Sequence, residues 1–457
     1  MKEITMNSIE RQSLSRRGFL RFGGSAAAAL AATSPAVRGM RVLSSSQGNP
    51  SDYRALVCVF LYGGADTFNV LVPTSAAEYG VYASARGDLA ETQSSLLPIQ
   101  PITSDGATYG VHGQMPGIQR LFEDGKLAFV ANTGPLVRPI TKAEFLAGQV
   151  PVPKNLFSHN DQQTQWQVAH ADGPRTTGWA GRMLDQMASV LGASTLPPAI
   201  SIESTAQLLT GVQTSPYVLG AGGAEAVVFA DEPERRAALQ SMLASQHALG
   251  TALGGVQSEA LAIFDLLDQS LDAAPDLSSF FPTMSELAMQ LRMVARMIAI
   301  RGQLGVTRQV FFVGMGGFDT HDNQTTQLPG LLGTVSSAID GFERAVESLG
   351  DSTRVTGFTH TEFGRTLSSN GQGSDHGWGG HAMVFGGGVR GQDIYGTMPN
   401  LALDGPDDVG EGRIIPRIGV DQFAATLSRW FGLGASEVDL VFPNVREFPT
   451  SDLGFMF

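Results

Sequence analysis

Two runs of the chain are apolar almost without interruption, and both end alike. Leu56 to Tyr62 (LVCVFLY) runs into Gly63-Gly64-Ala65-Asp66, and Gln309 to Met315 (QVFFVGM) runs into Gly316-Gly317-Phe318-Asp319-Thr320-His321. A strand that is apolar on both faces has to be covered on both faces, which is the situation of strands in an α/β sheet. The glycines let the backbone turn sharply at the sheet edge, and each aspartate is then held above that edge. Arg354 to Thr361 (RVTGFTHT) reads as a third buried strand, with Glu362 at its carboxyl end and Arg365 three residues on. Ligands of open α/β sheets bind outside the carboxyl ends of the strands, so three acids are expected to meet there.

The segment that follows, Thr359 to His381, gathers three of the chain's eight histidines with little apolar content. Asp375-His376-Gly377 stands at its centre and His381 follows, so carboxylate oxygen and imidazole nitrogen lie side by side. Zinc, manganese and iron favour that donor mixture.

The rest of the chain supplies the layers such a sheet needs. Ile118, Leu121 and Phe122 give Met115 to Asp124 a helical spacing, and Leu127 to Ala131 is the next strand, with Asn132 and Thr133 at its carboxyl end. Leu331, Val335, Ile339, Phe342, Val346 and Leu349 mark a crossover helix leading back into the strand before Glu362. Ala382 to Phe385 is a further strand, and Asp421 to Phe431 a further helix. The stretch from about Asn69 to Tyr109 reads as irregular and polar. Residues 231–301, rich in alanine, leucine and methionine, read as a helical insertion or lid; Leu287, Leu291, Val294 and Ile298 form one apolar helix face there. The expected fold is α/β, a doubly wound, mostly parallel sheet with helices on both faces.

Residues 1–36 read as a signal and not as fold. Ser15-Arg16-Arg17-Gly18-Phe19-Leu20-Arg21 is a twin-arginine export pattern, followed by an apolar run too short and alanine-rich for a permanent membrane span. The expectation is a periplasmic or extracellular protein, carried folded by the twin-arginine translocation machinery, with the α/β domain occupying residues 37–457. Without residues 1–36, 25 basic residues remain against 41 acidic ones, a net charge of −16. That field repels nucleic acid and acidic membrane surfaces. Cys58 is the one cysteine, set inside an apolar run, and it reads as a small buried residue. There is no Walker loop, no dinucleotide fingerprint and no GxSxG elbow.

Ser158-His159-Asn160-Asp161 reads as a helix start capped by Ser158 or Asn160. Its alternative reading makes Ser158 a nucleophile at the positive helix end. His159, His112 and His170 are weaker candidates, since a lone histidine is more often structural.

FLYGGADTFNVLVP, GGFDTHDNQ, TEFGRT and SDHGWGGHAMVFGGGV, together with the export signal, resemble the twin-arginine-exported family numbered 1501 among domains of unknown function. That family is placed in the alkaline phosphatase and sulfatase superfamily. Ser374-Asp375-His376-Gly377 with His381 is similar to that superfamily's SDHG segment and later histidine, and GIQRLFEDGKLAFV resembles its segment before the nucleophile. The resemblance implies two divalent metal ions (zinc, manganese or calcium), one on Asp66, Asp375 and His376, the other on Asp319, His321 and His381. It implies a nucleophile, Ser158 first and Thr133 second, with Arg365 neutralising a substrate oxygen and Glu362 holding a water or a further ion. A buried ion pair supporting the loop is the competing role for Glu362 and Arg365. The chain departs from the superfamily in placing Asp319 and His321 two positions apart, in the closeness of His381 to the Asp-His pair, and in lacking a sulfatase Cys-x-Pro-x-Arg segment. The function expected is two-metal displacement on phosphate or sulfate esters of a small molecule or polysaccharide. The alternative is a non-catalytic periplasmic protein that binds a ligand or the cell envelope on the same fold.

Overall fold

The structure is a computed structural model, and it describes residues 53–457 apart from 193, 195, 203, 225–232 and 244–247. The twin-arginine segment lies outside the described residues. The described residues divide into two compact units, one within Ser46–Glu225 and Ile263–Phe457 and one within Ala226–Ala262. In the second of these, the described residues form the helix Pro233–Leu243 and the first part of the helix Ala248–Asp272.

Among the described residues the larger unit has fourteen strands. In chain order they are β1 Arg54–Leu61, β2 Leu71–Pro73, β3 Leu97–Ile99, β4 Tyr109–Val111, β5 Leu127–Gly134, β6 Ala199–Ser201, β7 Tyr217–Val218, β8 Arg308–Met315, β9 Val355–His360, β10 Arg365–Ser369, β11 Ser374–His376, β12 Gly380–Phe385, β13 Asp393–Tyr395 and β14 Ile418–Gly419. Nine of them form one sheet in the order β13-β5-β12-β9-β1-β8-β6-β7, with β14 also on β5. Every pairing in it is parallel except those of β12 with β5 and β9. The exception has a local cause. After β9 leaves the sheet at His360, the chain turns back through the β10–β11 hairpin and re-enters at Gly380, so β12 must run the other way.

The apolar runs read from the sequence are the central strands, β1 and β8, side by side from Arg54↔Arg308 to Leu61↔Met315. Their side chains alternate between two cores. Val57, Val59, Leu61, Phe311 and Val313 pack in one with residues of the helices Pro116–Glu123, Glu286–Ala299 and Gln324–Ser348. Leu56, Cys58, Phe60, Val310 and Phe312 pack in the other with residues of Trp179–Gln186 and Val420–Phe431. Each such side chain contributes about 1.5–3 kcal/mol on burial, against about 0.5–1.5 kcal/mol net per hydrogen bond. Packing on both faces therefore outweighs the ladder as the reason these segments are central.

The stretch read as irregular from Asn69 to Tyr109 is more ordered than its polarity suggested. It holds the helix Ala76–Arg86 and the small sheet β2-β4-β3. The helix buries only Tyr82, Ala85 and Arg86, a face too short to show as a period in the sequence.

Beneath the sheet, Glu343 of the Gln324–Ser348 helix is buried with neither carboxyl oxygen hydrogen-bonded. Burial raises its pKa from 4.5 to about 8, against the opposing pull of Lys126 and Arg120 and with a smaller push from Glu347 and Asp340. The folded form keeps a proton that the unfolded chain loses near pH 4.5, so this residue subtracts stability as pH rises from about 4.5 to about 8 and no further above that. Glu343→Gln is expected to match wild type at pH 4.5 in urea unfolding and to gain on it steadily up to pH 8. A difference between the two proteins that does not change with pH would contradict this account.

Candidate metal centre

The aligned carboxyl ends of β1, β8 and β9 release three loops at one edge, and the β10–β11 hairpin stands over them. Gly63 is where they cross. Its N–H donates to Glu362 Oε1 at 2.9 Å, and its carbonyl accepts from Arg365 Nη1 at 3.3 Å. A Cβ on Gly63, which has φ +118°, would lie 2.3 Å from the Asp319 nitrogen, so no side chain fits. Arg365, fully buried, donates to Asp319 Oδ1 at 2.9 Å and to the Ser374 carbonyl at 2.6 Å.

Three imidazoles surround Asp319. His321 Nε2 is 3.1 Å and His376 Nε2 3.3 Å from its Oδ1, and His159 Nε2 is 3.5 Å from its Oδ2. His321 Nε2 and His376 Nε2 are 2.9 Å apart. Each ring is tied at its other nitrogen to an oxygen: His159 Nδ1 to Glu362 Oε1 at 2.8 Å, His321 Nδ1 to Asp375 Oδ1 at 2.8 Å, His376 Nδ1 to the Phe157 carbonyl at 2.7 Å. A neutral imidazole that donates from Nδ1 has a bare lone pair on Nε2. With Nδ1 as the donor in each ring, three Nε2 lone pairs would face one carboxylate, to which Arg365 also donates. Acceptors that crowd together in this way call for a cation between them. His159, Asp319 and His376 alone could hold a metal ion, their ligand atoms lying within 4.8 Å of one another.

The supporting atoms are themselves fixed. Glu362 is fully buried and also accepts from Gln163 Nε2 at 2.9 Å. Asp375 accepts from Asn370 Nδ2 at 3.1 Å. Phe157 holds its carbonyl toward His376 from a left-handed backbone, φ +72°, a costly conformation for a bulky residue that concentrates at functional sites. Partial burial pushes the Asp319 carboxyl up, but the Arg365 hydrogen bond and charge, with the histidines, outweigh it and hold the group below the usual carboxylate range. Burial lowers His376 despite the Phe157 hydrogen bond, which favours the neutral, ligating ring.

The remaining residues singled out in the sequence fall elsewhere around this edge. Asp66 is buried against Arg86, in an ion pair that Gln324 Nε2 joins at 2.5 Å. His381 stands on β12, apart from the cluster, accepting from the Asn132 N–H at 3.2 Å with its ring edge-on to Phe68. Burial drops its pKa to about 3, and it lines a small cavity with Thr133, Trp166 and His360. The Thr133 hydroxyl donates to the Val130 carbonyl at 3.3 Å. Ser158 occupies the N-cap position of the helix His159–Val168, but its hydroxyl donates to Asp161 Oδ2 at 2.9 Å. Sequence reasoning ranked His159 low and passed over Arg86. The Ser158-His159 helix start was the available signal for the first; nothing in the flanking residues marks the second.

The family described as "Protein of unknown function (DUF1501)" matches residues 53–437. No curated protein matches the chain. Among solved structures, the crystal structure of Ps i-CgsB is similar at a TM-score of 0.34 and 8% identity, over 85% of this chain and 74% of that one. The same protein in complex with k-i-k-neocarrahexaose gives 0.31 and 9%, over 85% and 74%. The C-terminal periplasmic domain of EcEptC from Escherichia coli, in complex with Zn, gives 0.30 and 9%, over 75% of each chain. Likenesses at these scores carry no argument about function, and the α/β class stands on the sheet order itself.

Glu362→Gln keeps the shape of the residue behind His159 but not its charge. The loss expected is about 10–100-fold in affinity for zinc, the usual effect of removing a carboxylate that orients a ligating histidine. Competition with a chromophoric chelator measures it, with circular dichroism as the control that the fold is unchanged.

Proposed function

The chain belongs to the DUF1501 family, and since that description names no activity, we propose from the site itself that the protein is a metal-dependent hydrolase of phosphate or sulfate esters, exported by its twin-arginine segment. The observation that carries the reading is the convergence of His159, His321 and His376 Nε2 on Asp319, with Arg365 alongside. A divalent ion bound there would polarise an ester oxygen as a Lewis acid. His159, His321, His376 and Asp319 would hold it. Arg365 keeps Asp319 ionised, and the half-open edge where Asp319 is exposed and His321 and Asp375 are half-buried gives an anionic ester its approach. The two-ion arrangement implied by the superfamily resemblance would add a second ion at Asp66.

A second reading, binding without turnover, draws support from the hydroxyls. Ser158 is engaged with Asp161, and Thr133 is 2% exposed and bonded to its own strand, so neither meets the cluster in a hydrogen bond. One experiment separates the two. Purified protein loaded with zinc or manganese is assayed on aryl phosphates, phosphodiesters and sulfates, beside His376→Ala. Turnover that needs metal and falls at least about 100-fold in the variant, the size expected for loss of a transition-state interaction of about 2.7 kcal/mol, supports the hydrolase. Metal-loaded protein inert toward all three classes favours binding.

A further inference from the structure

Asp66 already has a cation. Asp66 and Arg86 are both fully buried and ion-paired, and the same guanidinium donates to the carbonyls of Thr366 at 2.7 Å and Leu367 at 3.2 Å. Gln324 closes the arrangement: its Nε2 donates to Asp66 Oδ2, while its Oε1 accepts from Ser374 Oγ at 2.5 Å, which fixes the amide the right way round. Arginine does not give up its proton in a protein, so Arg86 is a permanent charge at this spot. A divalent ion brought onto Asp66 would be pressed against it in a medium that screens poorly.

We propose that this centre takes one divalent ion of the late first-row transition series, on His159, His321, His376 and Asp319, and that Arg86 stands permanently in place of a second ion at Asp66. The proposal rests on the metal-dependent reading of the site and fixes its stoichiometry and ion class. Three imidazole nitrogens and one carboxylate form a set that calcium and magnesium, which take oxygen ligands, do not favour. Asp66 is then a structural anchor and not a ligand, and His381 is excluded from the centre by its place on β12.

The test is the metal content of the full chain, by elemental mass spectrometry against amino-acid analysis, for wild type and for the double variant Asp66→Asn with Arg86→Met, which removes both charges of the pair together. One equivalent of zinc in wild type is expected, undiminished by excess calcium. The double variant should also hold one equivalent, with affinity changed by less than about tenfold, the lower edge of what loss of a ligand's supporting group costs. Two equivalents in wild type would overturn the proposal and leave the metal-dependent reading standing. None would overturn both. A double variant that keeps its circular dichroism but loses the ion would show Asp66 to be a ligand and overturn the proposal alone; if that variant does not fold, the wild-type stoichiometry still decides.

Discussion

The buried guanidinium of Arg365 is the interaction on which this sheet edge depends. It touches Gly63 from the loop after β1, Asp319 from the loop after β8 and Ser374 from the hairpin over β9. Three segments far apart in sequence thereby share one planar group, and each of its donors has a fixed direction. Removing one partner of a buried pair typically costs about 3–5 kcal/mol, because the other charge stays behind without compensation. The guanidinium here is met mainly by neutral carbonyls and one half-exposed carboxylate, so it organises the loops without cancelling the negative character of the edge.

Around that anchor the chain spends most of its polar groups on orientation. Of the four carboxylates at the edge, Glu362 and Asp375 each stand behind an imidazole, and only Asp319 faces all three rings. His376 is treated differently, being held by a backbone carbonyl that Phe157 presents from a left-handed conformation. That support comes from a main-chain atom, whereas the other two rings lean on side-chain carboxylates.

Much of this was legible in the chain. The central strands could be read because burial on both faces leaves continuous apolar runs, and their ends could be read because paired glycines precede each acid. Asp319 and His321 lie in one such loop, Asp375 and His376 on β11 of the hairpin, and they do meet. His159 was not legible, because one histidine at the start of a helix looks like any other until a sheet edge 200 residues later in the chain supplies Glu362, at a sequence separation of 203. Arg86 was hidden for a similar reason: its partner is 20 residues back, with β2 and the body of the helix Ala76–Arg86 between them, and an arginine at a helix end reads as solvent-exposed. His381 illustrates the opposite case. The resemblance implied one ion shared with Asp319 and His321; in the fold His381 stands on β12 of the large sheet, with its Nδ1 accepting from the Asn132 N–H, while His376 belongs to the β10–β11 hairpin.

The wide spacing of the three rings sets an order of events. Phe157 and His376, which meet in one hydrogen bond, are 219 residues apart, so the pocket between them does not exist in any partly synthesised chain that stops short of the hairpin. The site is complete only when the sheet has closed around β9 and β12. Bound there, an ion would act as a late clasp on loops of long separation, whose closure entropy has by then already been met by the folded sheet. Occupancy would thus report that a molecule has finished folding, which distinguishes a completed chain from an unfinished one by composition alone.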